Sequence, residues 1–351
     1  MTPCARAIAE RIRLGGPLTI ADFMAEALLH PEHGYYTTRD PLGRGGDFTT
    51  APEISQMFGE LLGLALAQAW LDQGAPTGIV LAELGPGRGT LMADILRATR
   101  AVPGFHAALS VHLVEASPVL RMLQAKAVPQ ATWHDTVATL PQGPLFLVAN
   151  EFFDALPIRQ FIRAGDGWAE RLVTVTDGAL AFALSPPTPV PALTHRLSLP
   201  EGTLVEHCPA LAPIMAEIGR RIARNGGAAL LVDYGDWDGT GDTLQALRAH
   251  SFDPPLAHPG EADLTAHVDF KALADHAAPA RATPMATQGA FLTHLGIAHR
   301  AAALAQRLDG PARECHLAAY RRLTHPAEMG HLFKIIGIAP QDAPPLPGLD
   351  L

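Results

Sequence analysis

Val80-Leu-Ala-Glu83-Leu-Gly85-Pro86-Gly87-Arg-Gly89-Thr-Leu91 is the stretch on which the fold turns. A short apolar run over residues 79–84 leads into three glycines at alternate positions. A helical pattern follows over 90–100, with Leu91, Ile95 and Leu96 inward. Glycines at such a place let the chain turn sharply and let a ligand approach the backbone. The helix start adds N–H groups that no helical carbonyl uses. The dinucleotide fingerprint is G-x-G-x-x-G, with a pyrophosphate at the helix N-terminus. Here the spacing is G-x-G-x-G, and the acidic Glu83 stands two residues before the first glycine. A nicotinamide dehydrogenase is therefore disfavoured.

Outward from this loop, strand and helix patterns alternate. Residues 111–114 form a second strand pattern that ends in Glu115. Ser117-Pro118 is a good N-cap and N1 pair for a helix through 127. Strand patterns also cover 132–134, 145–149, 228–234, 282–287 and 332–338, with a helix over 209–224. Such alternation predicts an α/β fold with a doubly wound, mostly parallel, seven-stranded sheet. Residues 168–176 and 179–184 flank Asp177-Gly178, a hairpin signal. Residues 235–270 read as loop-rich. The N-terminal part reads as helices over 5–14 and from Thr19-Ile-Ala-Asp22 onward, then a glycine-rich loop over 34–47, then a strong helix opened by Thr50-Ala-Pro-Glu53. The expected organisation is a helical cap and glycine-rich loop over 1–75 and a catalytic domain over 76–351. That domain would carry inserts near 166–225 and 237–330.

Composition sets the outer limits. The 351 residues are 48% hydrophobic and 17% charged, enough for a buried core and unlike a disordered chain. The 26 basic residues against 35 acidic ones give a net charge of −9. That balance argues against bulk nucleic-acid binding and against anionic membranes. The three cysteines, Cys4, Cys208 and Cys315, are far apart and fit a reducing compartment. The 16 histidines show no HExxH and no Cys/His cluster, so no metal is expected. No apolar run approaches a membrane span.

The acidic and aromatic residues at the strand ends carry the chemistry. The loop from Glu83 to Gly89 resembles the nucleoside-binding loop of class I S-adenosylmethionine-dependent methyltransferases. In that likeness Glu83, Gly85, Pro86, Gly87 and Gly89 hold the cofactor, and Glu115 accepts the ribose hydroxyls. Asp135, after the third strand, reads either as an adenine contact or as a plain N-cap. Asn150-Glu-Phe-Phe-Asp154 follows the fourth strand, where a methyl acceptor would sit. Base aminomethylases often carry prolines there. An acid in their place favours a guanidinium acceptor, because carboxylate and guanidinium pair bidentately. Asn150 is assigned to the cofactor site, and Glu151 and Asp154 to catalysis. Phe152, Phe153 and Leu156 read as core. Thr50-x-x-Glu53 reads as a capping box. Tyr36, Asp47, Phe48, Glu53, Asp233 and Tyr234 are candidates for a lid or an acceptor site. His267 and Asp269 read as a structural pair rather than a proton relay.

The chain as a whole resembles the family of mitochondrial complex I assembly-factor methyltransferases and their bacterial counterparts (the MidA family). The likeness rests on His30-Pro-Glu-His-Gly-Tyr-Tyr36, Gly46-Asp-Phe-Thr-Thr-Ala-Pro-Glu53, Phe58-Gly-Glu60 and Glu83-Leu-Gly-Pro-Gly-Arg-Gly-Thr90. Further on it rests on Asn150-Glu-Phe-Phe-Asp-Ala-Leu-Pro157, Trp168-Ala-Glu-Arg171 and Asp233-Tyr-Gly235. Asp263-Leu-Thr-Ala-His-Val-Asp-Phe270, Thr287-Gln-Gly-Ala-Phe-Leu292 and Met329-Gly-His-Leu-Phe-Lys334 complete it. These stretches run in order along nearly the whole chain. The resemblance implies S-adenosyl-L-methionine as cofactor. It also implies a protein acceptor, arginine N-methylation of a core subunit of respiratory complex I, and symmetric dimethylarginine as product. The absence of a presequence pattern points to a bacterial-type cytoplasmic setting, whereas the eukaryotic branch works in the mitochondrial matrix. A small-molecule methyltransferase and a cofactor-binding assembly scaffold are the alternatives, and a homodimer is left open.

Overall fold

Every residue of the strands β1 (Ile79–Leu84) and β4 (Leu145–Asn150) is buried, as continuous apolar strands covered on both faces should be. A computed structural model describes residues 1–38 and 49–349 and divides them into two compact units. The larger unit comprises 49–153, 212–237 and 269–349 of the described chain. Its sheet adds β2 (Leu109–Val114), β3 (Thr132–His134), β5 (Gly227–Asp236), β6 (Arg281–Ala282) and β7 (Phe333–Ala339). The order is β6-β7-β5-β4-β1-β2-β3. Strands β3, β2, β1, β4 and β5 run parallel, and β7 lies antiparallel to β5. The chain reverses direction across the sheet between β1 and β4, and the crevice at their carboxyl ends is where open α/β sheets bind ligands.

This is the expected α/β architecture with a mostly parallel sheet, and one strand differs locally. The single strand expected over 282–287 is broken into β6 and Ala286–Thr287, both paired with β7. Pro284 has no N–H to give the ladder. Thr283 bridges the gap instead, its N–H donating to Gly337 O (2.8 Å) and its Oγ1 accepting the Gly337 N–H (2.9 Å). The helix Gln56–Asp72 packs closely on the helix Thr90–Ala98 that follows the glycine loop. Gly59 and Gly63 permit that approach: a Cβ on them would meet Asp94 Cβ at 2.7 Å and Ile95 Cα at 2.9 Å.

The smaller unit comprises 1–38, 154–211 and 238–268 of the described chain. Gly167–Thr176 and Ala179–Leu184 form the expected hairpin. Asp177 and Gly178 both take positive φ, 51° and 76°, as its two-residue turn requires. Arg159–Ala164, Leu204–His207 and Leu18–Thr19 extend that antiparallel sheet. Helices Pro3–Gly15 and Ile20–Leu29 bury Ile8, Phe23, Met24 and Leu28 with Ile158 and Val173. Thr19 Oγ1 caps the second helix by accepting the Asp22 N–H (3.0 Å). The stretch read as loop-rich holds a three-stranded sheet, Ser251–Asp253, Gln245–Arg248 and Asp263–Thr265. Its turn falls at Ala249 and His250, with φ of 50° and 62° and no glycine to announce it.

Candidate active site

The glycine loop adopts the conformation that its spacing demands. Gly85, Gly87 and Gly89 have φ of 59°, 53° and 84°, a region that costs any other residue strain. The Gly85 N–H donates to Val114 O (3.0 Å), tying the loop to β2, and the Pro86 carbonyl accepts the Gly89 N–H (2.7 Å). Thr90 then begins the helix. The loop therefore turns across the ends of β1 and β2 without a side chain of its own at the three glycine positions.

Glu83, the penultimate residue of β1, is 2% exposed, and its Oε2 is buried with no hydrogen-bond partner among the described residues. Burial pushes its carboxyl up to about 8; the Met92 backbone opposes the rise and Glu115 adds to it. Glu115, beyond the end of β2, is also buried, and burial raises its carboxyl as well. It accepts the Ser117 N–H on Oε1 (2.8 Å) and the Gln124 Nε2–H on Oε2 (3.0 Å). Two buried carboxyl groups thus stand at neighbouring strand ends beside the glycine loop.

On the other side of β1, β4 delivers Asn150 and Glu151. Asn150 Oδ1 is buried without a hydrogen-bond partner among the described residues, while its Nδ2 donates to Glu151 Oε1 (3.0 Å). The same Glu151 oxygen accepts the Ala51 N–H (3.2 Å). Glu151 has φ 52°, a left-handed conformation uncommon for a residue with a side chain and often found at functional sites. Its N–H donates to Val232 O (3.0 Å), which locks the turn to β5. Asp233 secures the next residues: Oδ2 accepts the N–H groups of Phe152 (3.2 Å) and Phe153 (3.0 Å), and Oδ1 accepts that of Tyr234 (2.9 Å). Tyr234 stacks edge-on against Phe333 at 5.5 Å. Asp233 is therefore the anchor of the Asn150–Phe153 turn.

Three residues stand differently from their reading in the sequence. Thr50 makes no side-chain cap bond, so Thr50-x-x-Glu53 is not a capping box. Glu53 instead accepts the hydroxyl of Thr90, the first helical residue after the glycines, and lies 3.9 Å from Arg88. Asp135 is neither an N-cap nor buried. Its side chain is 85% exposed and pairs with Arg121 at 2.5 Å, while Thr136 holds the capping place of the turn that follows. Asp269 caps Phe270–His276 by accepting the Ala272 N–H (2.9 Å), in line with a structural role.

Tyr36 and Asp154 lie in the smaller unit. Tyr36 Oη donates to Asp263 Oδ1 (2.9 Å), and burial, Asp263 and Asp154 hold its hydroxyl well above the usual range. Asp154 is buried, and its carbonyl accepts the Ala266 N–H (3.0 Å). Asp47 and Phe48 lie outside the described residues. Sequence reasoning missed Gln124 and Arg121. Arg121 Nε donates to Glu115 O (2.8 Å) and a terminal nitrogen reaches His134 O (3.2 Å), joining the ends of β2 and β3.

Two buried oxygens at these strand ends, Glu83 Oε2 and Asn150 Oδ1, have no hydrogen-bond partner among the described residues. They suit a ligand that brings N–H or O–H donors, as an amino-acid ammonium and a nucleoside do. The G-x-G-x-G loop lacks the spacing of a phosphate-binding fingerprint. Fold and site together define an S-adenosyl-L-methionine-dependent methyltransferase. A family model of S-adenosyl-L-methionine-dependent methyltransferases matches residues 61–287. The mouse and human mitochondrial proteins named protein arginine methyltransferase NDUFAF7 are each 38% identical over 97% of this chain, covering 85% and 84% of their own lengths. The zebrafish protein of that name is 37% identical over 94% of this chain and 85% of its own. A solved chain from Burkholderia thailandensis, bound to S-adenosyl-homocysteine, is 30% identical with a TM-score of 0.82 and covers 98% of this chain and 93% of that one. The chain belongs to the NDUFAF7 family of methyltransferases.

Proposed function

We propose that this methyltransferase acts on the guanidinium of an arginine in a protein acceptor, with Glu151 as the catalytic carboxylate. The observation that carries the reading is Glu151 itself. It is an acid held at a strained backbone position, beside the glycine cradle, with one carboxylate oxygen fixed by the Ala51 and Asn150 N–H donors. A carboxylate so fixed matches the donor fork of a guanidinium. Pairing with Glu151 draws the charge toward the bonded nitrogens and leaves the reacting nitrogen more nucleophilic. Glu151 is also placed to accept the proton released as the new bond forms. Much of the rate then comes from orientation.

S-adenosyl-L-methionine, when bound, supplies a methyl group on a sulfonium. In this reading Gly85, Gly87 and Gly89 cradle it, Glu83 and Asn150 take its donors, and Glu115 accepts its ribose hydroxyls. Asp154 is proposed as a further carboxylate for a cationic acceptor. The name of the mouse and human relatives, protein arginine methyltransferase, supports arginine as the acceptor side chain. The family resemblance extends the proposal to a subunit of respiratory complex I and to symmetric dimethylation. The likeness to a Burkholderia chain supports a bacterial-type setting.

The test is transfer of labelled methyl with wild type and Glu151→Gln. The proposal expects label on protein arginine with wild type. With Glu151→Gln it expects retained cofactor binding and loss of transfer. Label on low-mass material would favour a small-molecule acceptor, and full transfer by Glu151→Gln would remove the residue's role.

A further inference from the structure

We propose that Gln124 is a positioning residue for the cofactor, holding the Glu115 carboxylate and the Gly87 carbonyl in one fixed arrangement that Trp133 locks. The inference rests on the reading of Glu115 as the ribose acceptor.

Gln124 lies on the helix Pro118–Ala127 and is fully buried. Its Nε2 donates to Gly87 O (2.8 Å) and to Glu115 Oε2 (3.0 Å), and its Oε1 accepts the Trp133 indole N–H (2.8 Å). One side-chain amide therefore joins the glycine loop after β1, the acid after β2 and the aromatic residue of β3. The direction of the amide is fixed by chemistry. An indole N–H only donates, so the amide oxygen must face Trp133 and the NH₂ must face the two acceptors. Both amide hydrogens are then used, one for each partner.

The consequence falls on Glu115. Its Oε1 is held by the Ser117 N–H and its Oε2 by Gln124, so the plane of the carboxylate is set before any ligand arrives. A diol recognised by two oxygens of one carboxylate needs that plane fixed. The Gly87 carbonyl is drawn inward by the same NH₂, which shapes the loop facing the ligand. A glutamine at this place does not merely fill space. Met has nearly the same shape but would leave a carbonyl, a carboxylate oxygen and an indole N–H without the partners they have now.

The test is calorimetric titration of S-adenosyl-homocysteine into the full chain and four variants: Gln124→Met, Trp133→Phe, Glu115→Gln and the Gln124→Met/Glu115→Gln double. Gln124→Met is expected to weaken binding about tenfold and Trp133→Phe about threefold, since the latter frees the amide to turn but leaves it in place. In the Glu115→Gln background, Gln124→Met is expected to cost less than it does in wild type, because the part of its effect that passes through Glu115 is already lost and only the Gly87 contact remains to be removed. Turnover should show the same split, with the cofactor KM rising far more than kcat falls. Wild-type affinity in Gln124→Met, or losses that multiply in the double variant, would overturn the proposal. If Gln124→Met does not fold, Trp133→Phe decides alone, and unchanged affinity there overturns it. Wild-type affinity in Glu115→Gln would sink the ribose reading and this inference together. Weakening by Glu115→Gln without weakening by Gln124→Met would leave that reading standing and remove only the role of Gln124.

Discussion

The ring of Phe152 stands against the α-carbon of Gly85, so close that a Cβ on Gly85 would lie 2.8 Å from Phe152 Cδ2. The turn that carries Glu151 and the loop that cradles the cofactor are thus packed on each other. Gly85→Ala meets both this contact and a φ of 59°. The expected result is loss of S-adenosyl-homocysteine affinity by about tenfold or more, from strain and collision of about 1–3 kcal/mol. Calorimetry checks it, and a second change of Phe152→Ala should recover part of the loss by removing the collision. Wild-type affinity in Gly85→Ala would contradict the close packing.

Glu83 makes the free protein's stability depend on pH. Its carboxyl sits at about 8 instead of 4.5. Between those values the folded chain holds a proton that the unfolded chain has released. The stability this group allows is fully present below 4.5 and is lost as pH rises through about 8. Urea unfolding from pH 5 to 9 should show the decline. Glu83→Gln should flatten it, raise stability at the alkaline end, and weaken cofactor binding by removing an acceptor.

Glu60 works in the opposite sense. Burial pushes its carboxyl up, but hydrogen bonds from Arg300 (2.7 and 2.8 Å) and Arg97 (2.7 Å) outweigh this and hold it below the usual range. Its contribution is present above the ordinary carboxylate pKa and is lost as pH falls through the lowered value. Glu60→Ala should cost about 2–3 kcal/mol at neutral pH, because it strips two arginines of a buried partner. Both guanidiniums keep some access to water, which caps the loss. Chemical denaturation measures it, and the difference from wild type should shrink in acid.

Asp233 holds three backbone N–H groups and so fixes the turn in which Glu151 acts. Asp233→Asn leaves only one side-chain oxygen to accept and turns an NH₂ toward a donor. Stability should fall by about 1–3 kcal/mol. Transfer should fall more steeply than S-adenosyl-homocysteine affinity. Equal losses in both measurements would mean that the anchor serves the fold alone.

The contrast between Glu115 and Gln124 shows what was legible in the sequence. Glu115 follows an apolar strand at a set place after the glycine loop, so local pattern and topology identify it together. Gln124 sits in a helix whose other polar residues are the partly exposed Arg121 and the exposed Lys126, and glutamine alone announces nothing. Its one signal was position: four residues after Leu120, it falls on the same inward stripe, and both are buried. Glu53 failed for a related reason. The local spacing Thr50-x-x-Glu53 satisfies the capping-box rule, but its hydrogen-bond partner is Thr90, far along the chain, and no local rule reaches it. The sheet around Ala249-His250 was missed because its turn takes positive φ without the glycine or asparagine that usually marks one.

Methyl transfer to arginine on a protein is open to direct measurement. The direct measurement gives the purified chain methyl-labelled S-adenosyl-L-methionine and isolated respiratory complex I subunits, then hydrolyses the protein fraction to amino acids and separates them. Wild type should place label in methylated arginine, and Glu151→Gln should place none there despite retained cofactor binding. Label confined to low-mass compounds or to a residue other than arginine would contradict transfer to arginine.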